Sequence, residues 1–240
     1  MKILVTGGTG FVGQWMANDP PVGDITFAST KTYPAALKQK WDAIVHLAPI
    51  PVDEVIECAL KSDARVLYAS SGAVYDLQAD EYGKGKRRDE NALLTSGLDV
   101  RIARLFSFVG RGLAPHLAPA RFLRACVDGL PICINGDGSV MRSYLYGQDL
   151  GRWMWKILRD ADPCSIFDVG SDLPVSIIRM AVEIRRYFPH SPKIQFLPPR
   201  REQRPYYIPH IERAQMELGC QVWTPFEEAV ERYVKESYEN

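Results

Sequence analysis

The sequence predicts an α/β fold built on a doubly wound parallel sheet, and three observations predict it. Short apolar, β-branched runs alternate with segments of helical periodicity through residues 1–106. The first run, Lys2 to Thr6, passes directly into the glycine-rich turn Thr6-Gly7-Gly8-Thr9-Gly10-Phe11-Val12-Gly13. The chain has 240 residues, 46% hydrophobic and 24% charged, which is enough to bury a large core without staples or metals.

The elements follow in order. Residues 2–6 are apolar and stopped by glycines, so they form a buried strand, and residues 11–17 open a helix. Residues 24–28 form a second strand, 33–40 a short helix, 43–47 a third strand and 53–61 a helix. Residues 65–69 and 100–106 are the fourth and fifth strands. Strands alternating with helices imply a parallel sheet covered on both faces, which binds ligands at the carboxyl ends of its strands. The second half is punctuated by prolines. Residues 120–127, 149–159, 177–187 and 225–235 have helical periodicity, and 165–169 another strand. The Pro-rich stretch 196–209 is expected to order around a ligand.

Composition excludes several classes. Lys plus Arg and Asp plus Glu both number 29, so the bulk composition shows no basic nucleic-acid footprint. Five cysteines, none in a C-x-x-C pair, predict reduced thiols and no zinc site. No apolar run approaches the roughly 20 residues of a membrane span, and the apolar stretch in residues 1–10 is too short to be expected to act as a signal peptide. The expectation is a cytoplasmic protein with no metal, no membrane partner and no nucleic-acid partner.

The glycine-rich turn follows a strand and precedes a helix. Glycines there let backbone N–H groups approach a pyrophosphate, and the helix N-terminus adds positive potential. The fold is therefore expected to be Rossmann-like, with residues 1–110 mainly a dinucleotide-binding core. Residues 111–240 would mainly form a small C-terminal substrate-binding lobe, with late elements returning to the core. An NAD site usually carries an acid at the end of the second strand. That strand ends in Ser29-Thr30-Lys31 instead, two hydroxyls and an ammonium that suit a 2′-phosphate. NADP is favoured over NAD, which stays possible.

Ser70-Ser71-Gly72-Ala73-Val74-Tyr75 follows the fourth strand, and Tyr82-Gly83-Lys84-Gly85-Lys86 comes soon after. A tyrosine and a lysine four apart share one helix face, and an ammonium beside a phenol favours the phenolate. Such a phenol exchanges a proton with a substrate hydroxyl or carbonyl. Ser71 would bond the same oxygen.

With these residues the chain resembles an extended short-chain dehydrogenase/reductase of the NAD-dependent epimerase/dehydratase type, acting on nucleotide sugars. The resemblance runs almost end to end, through Thr6–Gly13, His46-Leu47-Ala48, Ser70 to Tyr75, Tyr82 to Lys86, Arg104 to Gly110, Gly136 to Leu150, Phe167 to Ser171 and Tyr207 to Gly219. It implies Ser71, Tyr82 and Lys86 as the catalytic residues, with Tyr82 as acid/base. It implies Gly7, Thr9, Gly10, Phe11, Val12 and Gly13 around the cofactor pyrophosphate. Ser29, Thr30, Lys31, Leu47, Ala48, Ser70, Leu105, Tyr82 and Lys86 would lie along the rest of the cofactor. It further implies a nucleotide-sugar substrate and a homodimer. Arg142, in Arg142-Ser143-Tyr144, would meet the substrate diphosphate with its planar fork, as would Arg201 and Arg204, and Ser107 and His116 would be further substrate contacts.

The sequence departs from relatives in places. Ser71 and Tyr82 are only 11 positions apart, where relatives commonly have a longer loop that helps cover the sugar, so a more open pocket is expected here. Gly83 and Gly85 weaken the expected helix by about 1 kcal/mol each. His46 is expected to be structural, and Trp153 and Trp155 to be core. Relatives that eliminate water carry Thr-Asp-Glu where this chain has Ser71-Gly72-Ala73, so a dehydratase lacks its acids here. The remaining chemistries are reduction of a 4-keto sugar nucleotide and C4 epimerisation with retained NAD. A Rossmann binding protein without turnover is the competing class. The NADP preference favours the reductase.

Overall fold

The computed structural model describes residues 1–76, 80–190, 192–199 and 206–238. In chain order the first half runs β1 (Lys2–Thr6), α1 (Phe11–Asn18), β2 (Asp24–Ala28), α2 (Tyr33–Ala36), β3 (Ala43–His46), α3 (Val52–Ser62), β4 (Arg65–Ser71), a 3-10 turn (Gly72–Tyr75), α4 (Glu81–Leu94) and β5 (Val100–Leu105). The second half runs β6 (Phe108–Val109), α5 (Ala118–Val127), β7 (Ile132–Asn135), β8 (Met141–Arg142), β9 (Leu145–Tyr146), α6 (Gly147–Asp160), β10 (Ser165–Val169), β11 (Val175–Ser176), α7 (Ile177–Arg185), β12 (Ile194–Leu197), β13 (Tyr206–Tyr207), α8 (Glu212–Leu218) and α9 (Phe226–Tyr238).

Two units form. The first holds residues 1–105, 150–169 and 210–221. Its sheet has the order β10-β5-β4-β3-β1-β2, and every pairing is parallel. The inner strands are buried on both faces, which is why β3 reads as the apolar run Ala-Ile-Val and stays buried through His46. Leu4, Ile44, Val66 and Ile102 pack with Val55 and Cys58 of α3 and Leu93 of α4. Strand order reverses between β1 and β3, and the ends of these strands and of β4 carry the predicted site.

The doubly wound order 3-2-1-4-5-6 has a further strand outside the second one. Among the described residues no strand flanks β2, which is an edge. Only residues 29–42 separate β2 from β3, and they hold the single turn α2. A parallel crossover alone takes about a dozen residues, so no room remains for another strand. The helix expected over 33–40 accordingly stops at Ala36, whose carbonyl accepts from the Trp41 indole at 2.9 Å.

The second unit holds residues 106–149, 170–209 and 222–240. It contains the small sheets β11-β8-β13, β12-β7 and β6-β9. Phe226, Val230 and Tyr233 of α9 are buried, and Asp149 is held by the Thr224 backbone N–H at 2.8 Å. No described helix is long and apolar enough to cross a membrane, and no described group of His, Cys, Asp or Glu can hold a metal.

Candidate functional site

The glycine turn is shaped by close approach. Gly7 has φ +74°, and a Cβ there would lie 2.9 Å from the Ala48 backbone nitrogen. A Cβ at Gly8 would strike Phe27, and one at Gly13 would strike Gly8 and the Gly7 carbonyl. These glycines let β1, β2, β3 and α1 meet. Gly10 differs. Its backbone (φ −78°, ψ 172°) is open to any residue, and a Cβ would meet only the Gly7 carbonyl, at 3.3 Å. Gly10 is the N-cap of α1, no side chain caps that helix, and its first turn has no acid. Elsewhere Asp80 and Ser176 cap α4 and α7. A bare, glycine-capped N-terminus with Thr9 and Gly10 exposed and Phe11 and Val12 half-buried fits a pyrophosphate.

At the end of β2, the Ser29 N–H donates to Thr32 Oγ1 at 2.9 Å, and the Lys31 N–H donates to Ser29 Oγ at 3.3 Å. Thr30 and Lys31 are exposed, and no carboxylate ends the strand. At the end of β3, Leu47 is half-buried and Ala48 buried. His46 is structural as expected: buried, with Nδ1 2.9 Å from Thr6 Oγ1. Burial, then the nearby Lys86 charge, push its pKa down to about 4.

Strand β4 extends two residues beyond the expected end, so Ser70 and Ser71 pair with Arg104 and Leu105 of β5. Successive strand residues face opposite sides. Ser70 Oγ donates to buried Glu90 at 2.5 Å, whereas Ser71 Oγ accepts from the Ala73 N–H at 3.2 Å. Leu105 is half-buried at the end of β5.

Helix α4 forms through both glycines, capped where Asp80 accepts from the Gly83 N–H at 3.1 Å. Tyr82, Lys86 and Glu90 recur at a spacing of four and so share a face. Tyr82 is 58% exposed, open to a reacting molecule. Lys86 Nζ donates to the Tyr68 hydroxyl at 3.0 Å and to the Ala69 carbonyl at 2.8 Å. Burial pushes the Lys86 pKa down, and Asp89 and Glu90 oppose that. Arg87 reaches back to the Val74 and Asp76 carbonyls at 2.7 and 2.8 Å, tying the short stretch after Ser71 onto α4.

Sequence reasoning missed the scaffold beneath these residues. Glu90 receives Arg104 through two bonds of 2.9 and 2.6 Å. The Arg104 guanidinium lies 4.7 Å from the Tyr75 ring centre, and the Tyr75 hydroxyl donates to Asp168 at 2.8 Å. Asp168 also accepts from the His210 N–H, and its burial pushes its pKa up. Helical spacing from Lys86 points to Glu90; no sequence signal joins Tyr75 to Asp168.

In the second unit, Arg142 is half-buried on β8, donates to the Met141 carbonyl at 2.7 Å and lies 5.7 Å from the Tyr207 ring centre. Ser107 is half-buried, with its carbonyl accepting from the Leu145 N–H at 3.1 Å. His116 is exposed. Arg201 and Arg204 lie outside the described residues. Trp153 and Trp155, in the first unit, are core as expected, 0% and 3% exposed.

Comparison with known proteins gives three kinds of match. A family model described as the NAD dependent epimerase/dehydratase family matches residues 25–170, more than half of the chain. UDP-glucuronic acid decarboxylase 1 of Danio rerio is 25% identical over 162 residues, covering 64% of this chain and 38% of that protein. A trifunctional UDP-glucose 4,6-dehydratase/UDP-4-keto-6-deoxy-D-glucose 3,5-epimerase/UDP-4-keto-L-rhamnose-reductase of Arabidopsis thaliana is 29% identical over 140 residues, covering 57% of this chain and 20% of that protein. The matched region thus spans well under half the length of both relatives. Among solved structures, DesIV, a dTDP-glucose 4,6-dehydratase from Streptomyces venezuelae with NAD and TYD bound, superposes with a TM-score of 0.87. It is 20% identical and covers 100% of this chain and 98% of its own, a likeness of fold.

Proposed function

The chain belongs to the NAD-dependent epimerase/dehydratase family, and we propose that within it the chain is a nucleotide-sugar oxidoreductase, a reductase of a 4-keto sugar nucleotide with Tyr82 as its acid. The observation that carries this reading is the conjunction of Ser71 at the end of β4 with Tyr82 and Lys86 on one face of α4, Lys86 being anchored to β4. Gly72 and Ala73, which follow Ser71, offer no carboxylate for eliminating water.

In this proposal Gly7, Thr9, Gly10, Phe11, Val12 and Gly13 hold the cofactor pyrophosphate. Ser29, Thr30 and Lys31 take the 2′-phosphate of NADP, and Leu47, Ala48, Ser70 and Leu105 line the remainder. Bound cofactor supplies hydride chemistry at the sugar carbonyl carbon. The Tyr82 hydroxyl gives its proton to the carbonyl oxygen, so that a ketone becomes an alcohol. The Ser71 hydroxyl donates to the same oxygen and orients it. Lys86, as an ammonium, stabilises the phenolate left on Tyr82. In the second unit, Arg142 takes a substrate phosphate as a bidentate fork, with Ser107 and His116 as further polar contacts. The curated relatives are named for UDP-linked sugars, so these head the substrate panel.

C4 epimerisation with retained NAD is the second reading. The family description names epimerases, and the same Ser71, Tyr82 and Lys86 would serve. The cofactor decides between them. The purified protein is expected to be cofactor-free by mass spectrometry and to bind NADPH more tightly than NADH. Tightly retained NAD(H) would favour the epimerase instead, and binding of neither would overturn both readings.

A further inference from the structure

An ammonium carries three N–H donors. On Lys86 two of them are committed, to the Tyr68 hydroxyl at 3.0 Å and the Ala69 carbonyl at 2.8 Å. The ammonium also lies 4.5 Å from the Tyr68 ring centre. The Tyr68 hydroxyl accepts from Lys86 and donates to Asp89 Oδ2 at 2.6 Å, so its proton has a fixed direction. Tyr68 cannot drift. It is 1% exposed, paired in the sheet with His46 of β3, and stacked on that ring with centroids 5.6 Å apart. Asp89 thus sets the hydroxyl, the hydroxyl sets Lys86, and the direction of the third N–H follows.

We propose that Tyr68 and Asp89 are a positioning pair that fixes the direction and the charge of the Lys86 ammonium. The proposal rests on the role given to Lys86 in the reaction above. Two carboxylates stand close enough to act on that charge. Glu90 is neutralised by Arg104 through two hydrogen bonds. Asp89 meets the neutral Tyr68 hydroxyl, so its charge is the one left to act. The other groups around the cluster are accounted for. Tyr82 lies on α4 beside the pair, and His46 of β3 is held neutral. Tyr75 of the 3-10 turn pairs with Asp168 and Arg104. The charged residues of α3, Asp53, Glu54, Glu57 and Lys61, are all exposed.

The test uses the ligand-free chain with lysine labelled at Cε. Its Lys86 resonance is assigned by Lys86→Arg and titrated with pH by NMR. Asp89→Asn keeps an oxygen for the Tyr68 hydroxyl and removes the charge, and Tyr68→Phe removes the link. Both variants are expected to move the Lys86 titration to lower pH, and Asp89→Glu to restore it. A merely structural role would lower thermal stability and leave that titration where it was. In the active enzyme, Asp89→Asn is expected to lower kcat about tenfold with KM for the sugar little changed. An unmoved titration in Asp89→Asn overturns the pairing, as does a moved titration with unchanged kcat. A moved titration in a protein that turns over no nucleotide sugar leaves the pairing standing and removes the reductase reading.

Discussion

His46 shows what one buried side chain does to the pH response. It is 1% exposed, and its pKa falls from 6.5 to about 4 because burial disfavours the imidazolium, with the Lys86 charge adding to that. The folded chain therefore binds fewer protons than the unfolded chain between those two values. Stability is full above the unfolded value and falls as pH drops through the window, by about 3 kcal/mol at most. Urea unfolding at about pH 7 and pH 4.5 is expected to show this loss, and His46→Gln to lack that part of it. At this scale the sequence was legible wherever chemistry depends on local spacing. Tyr82 and Lys86 stand out because four residues make one helical turn. Tyr68 and Asp89 do not, since they are 21 positions apart and meet only when α4 packs on β4. Tyr75 and Asp168, 93 positions apart, are beyond any local rule.

At the scale of elements, α4 bears a cost that a single substitution can remove. Gly85 lies inside the helix, and a Cβ there would meet only the end of the Arg88 side chain, at 3.8 Å. Gly85→Ala is expected to stabilise the chain by about 1 kcal/mol and raise Tm by about 2–4 °C in a thermal melt. An unchanged or lower Tm would mean that α4 needs flexibility there. Strands β1, β2 and β10 match the bounds expected from apolar runs ended by turn residues, because those runs are buried and unambiguous. Strand β4 ran past its apolar run, since Ser70 and Ser71 find partners in β5. The two-residue strands β6, β8, β9, β11 and β13 were invisible, because two residues carry no periodicity and only their distant partners define them.

Over the whole molecule, the fold class was legible because the alternation of strand and helix and the glycine turn agree. What alternation did not reveal was that, among the described residues, no strand lies outside β2. That absence follows from the length of the link between β2 and β3 and leaves β2 an edge. Family membership is carried by residues 25–170, a stretch that begins after the glycine turn. The turn is thus an independent argument for a dinucleotide, made by Gly10 and the uncapped α1. The claim that joins these scales is that Tyr82 protonates a carbonyl oxygen of a nucleotide sugar. It is tested most directly by following NADPH consumption with 4-keto sugar nucleotides, UDP-linked ones first, in the wild type and in Tyr82→Phe. The wild type is expected to consume NADPH, and Tyr82→Phe to lose a factor of about 10² to 10⁴ in kcat while still binding the cofactor. Equal rates in the two proteins would contradict the claim.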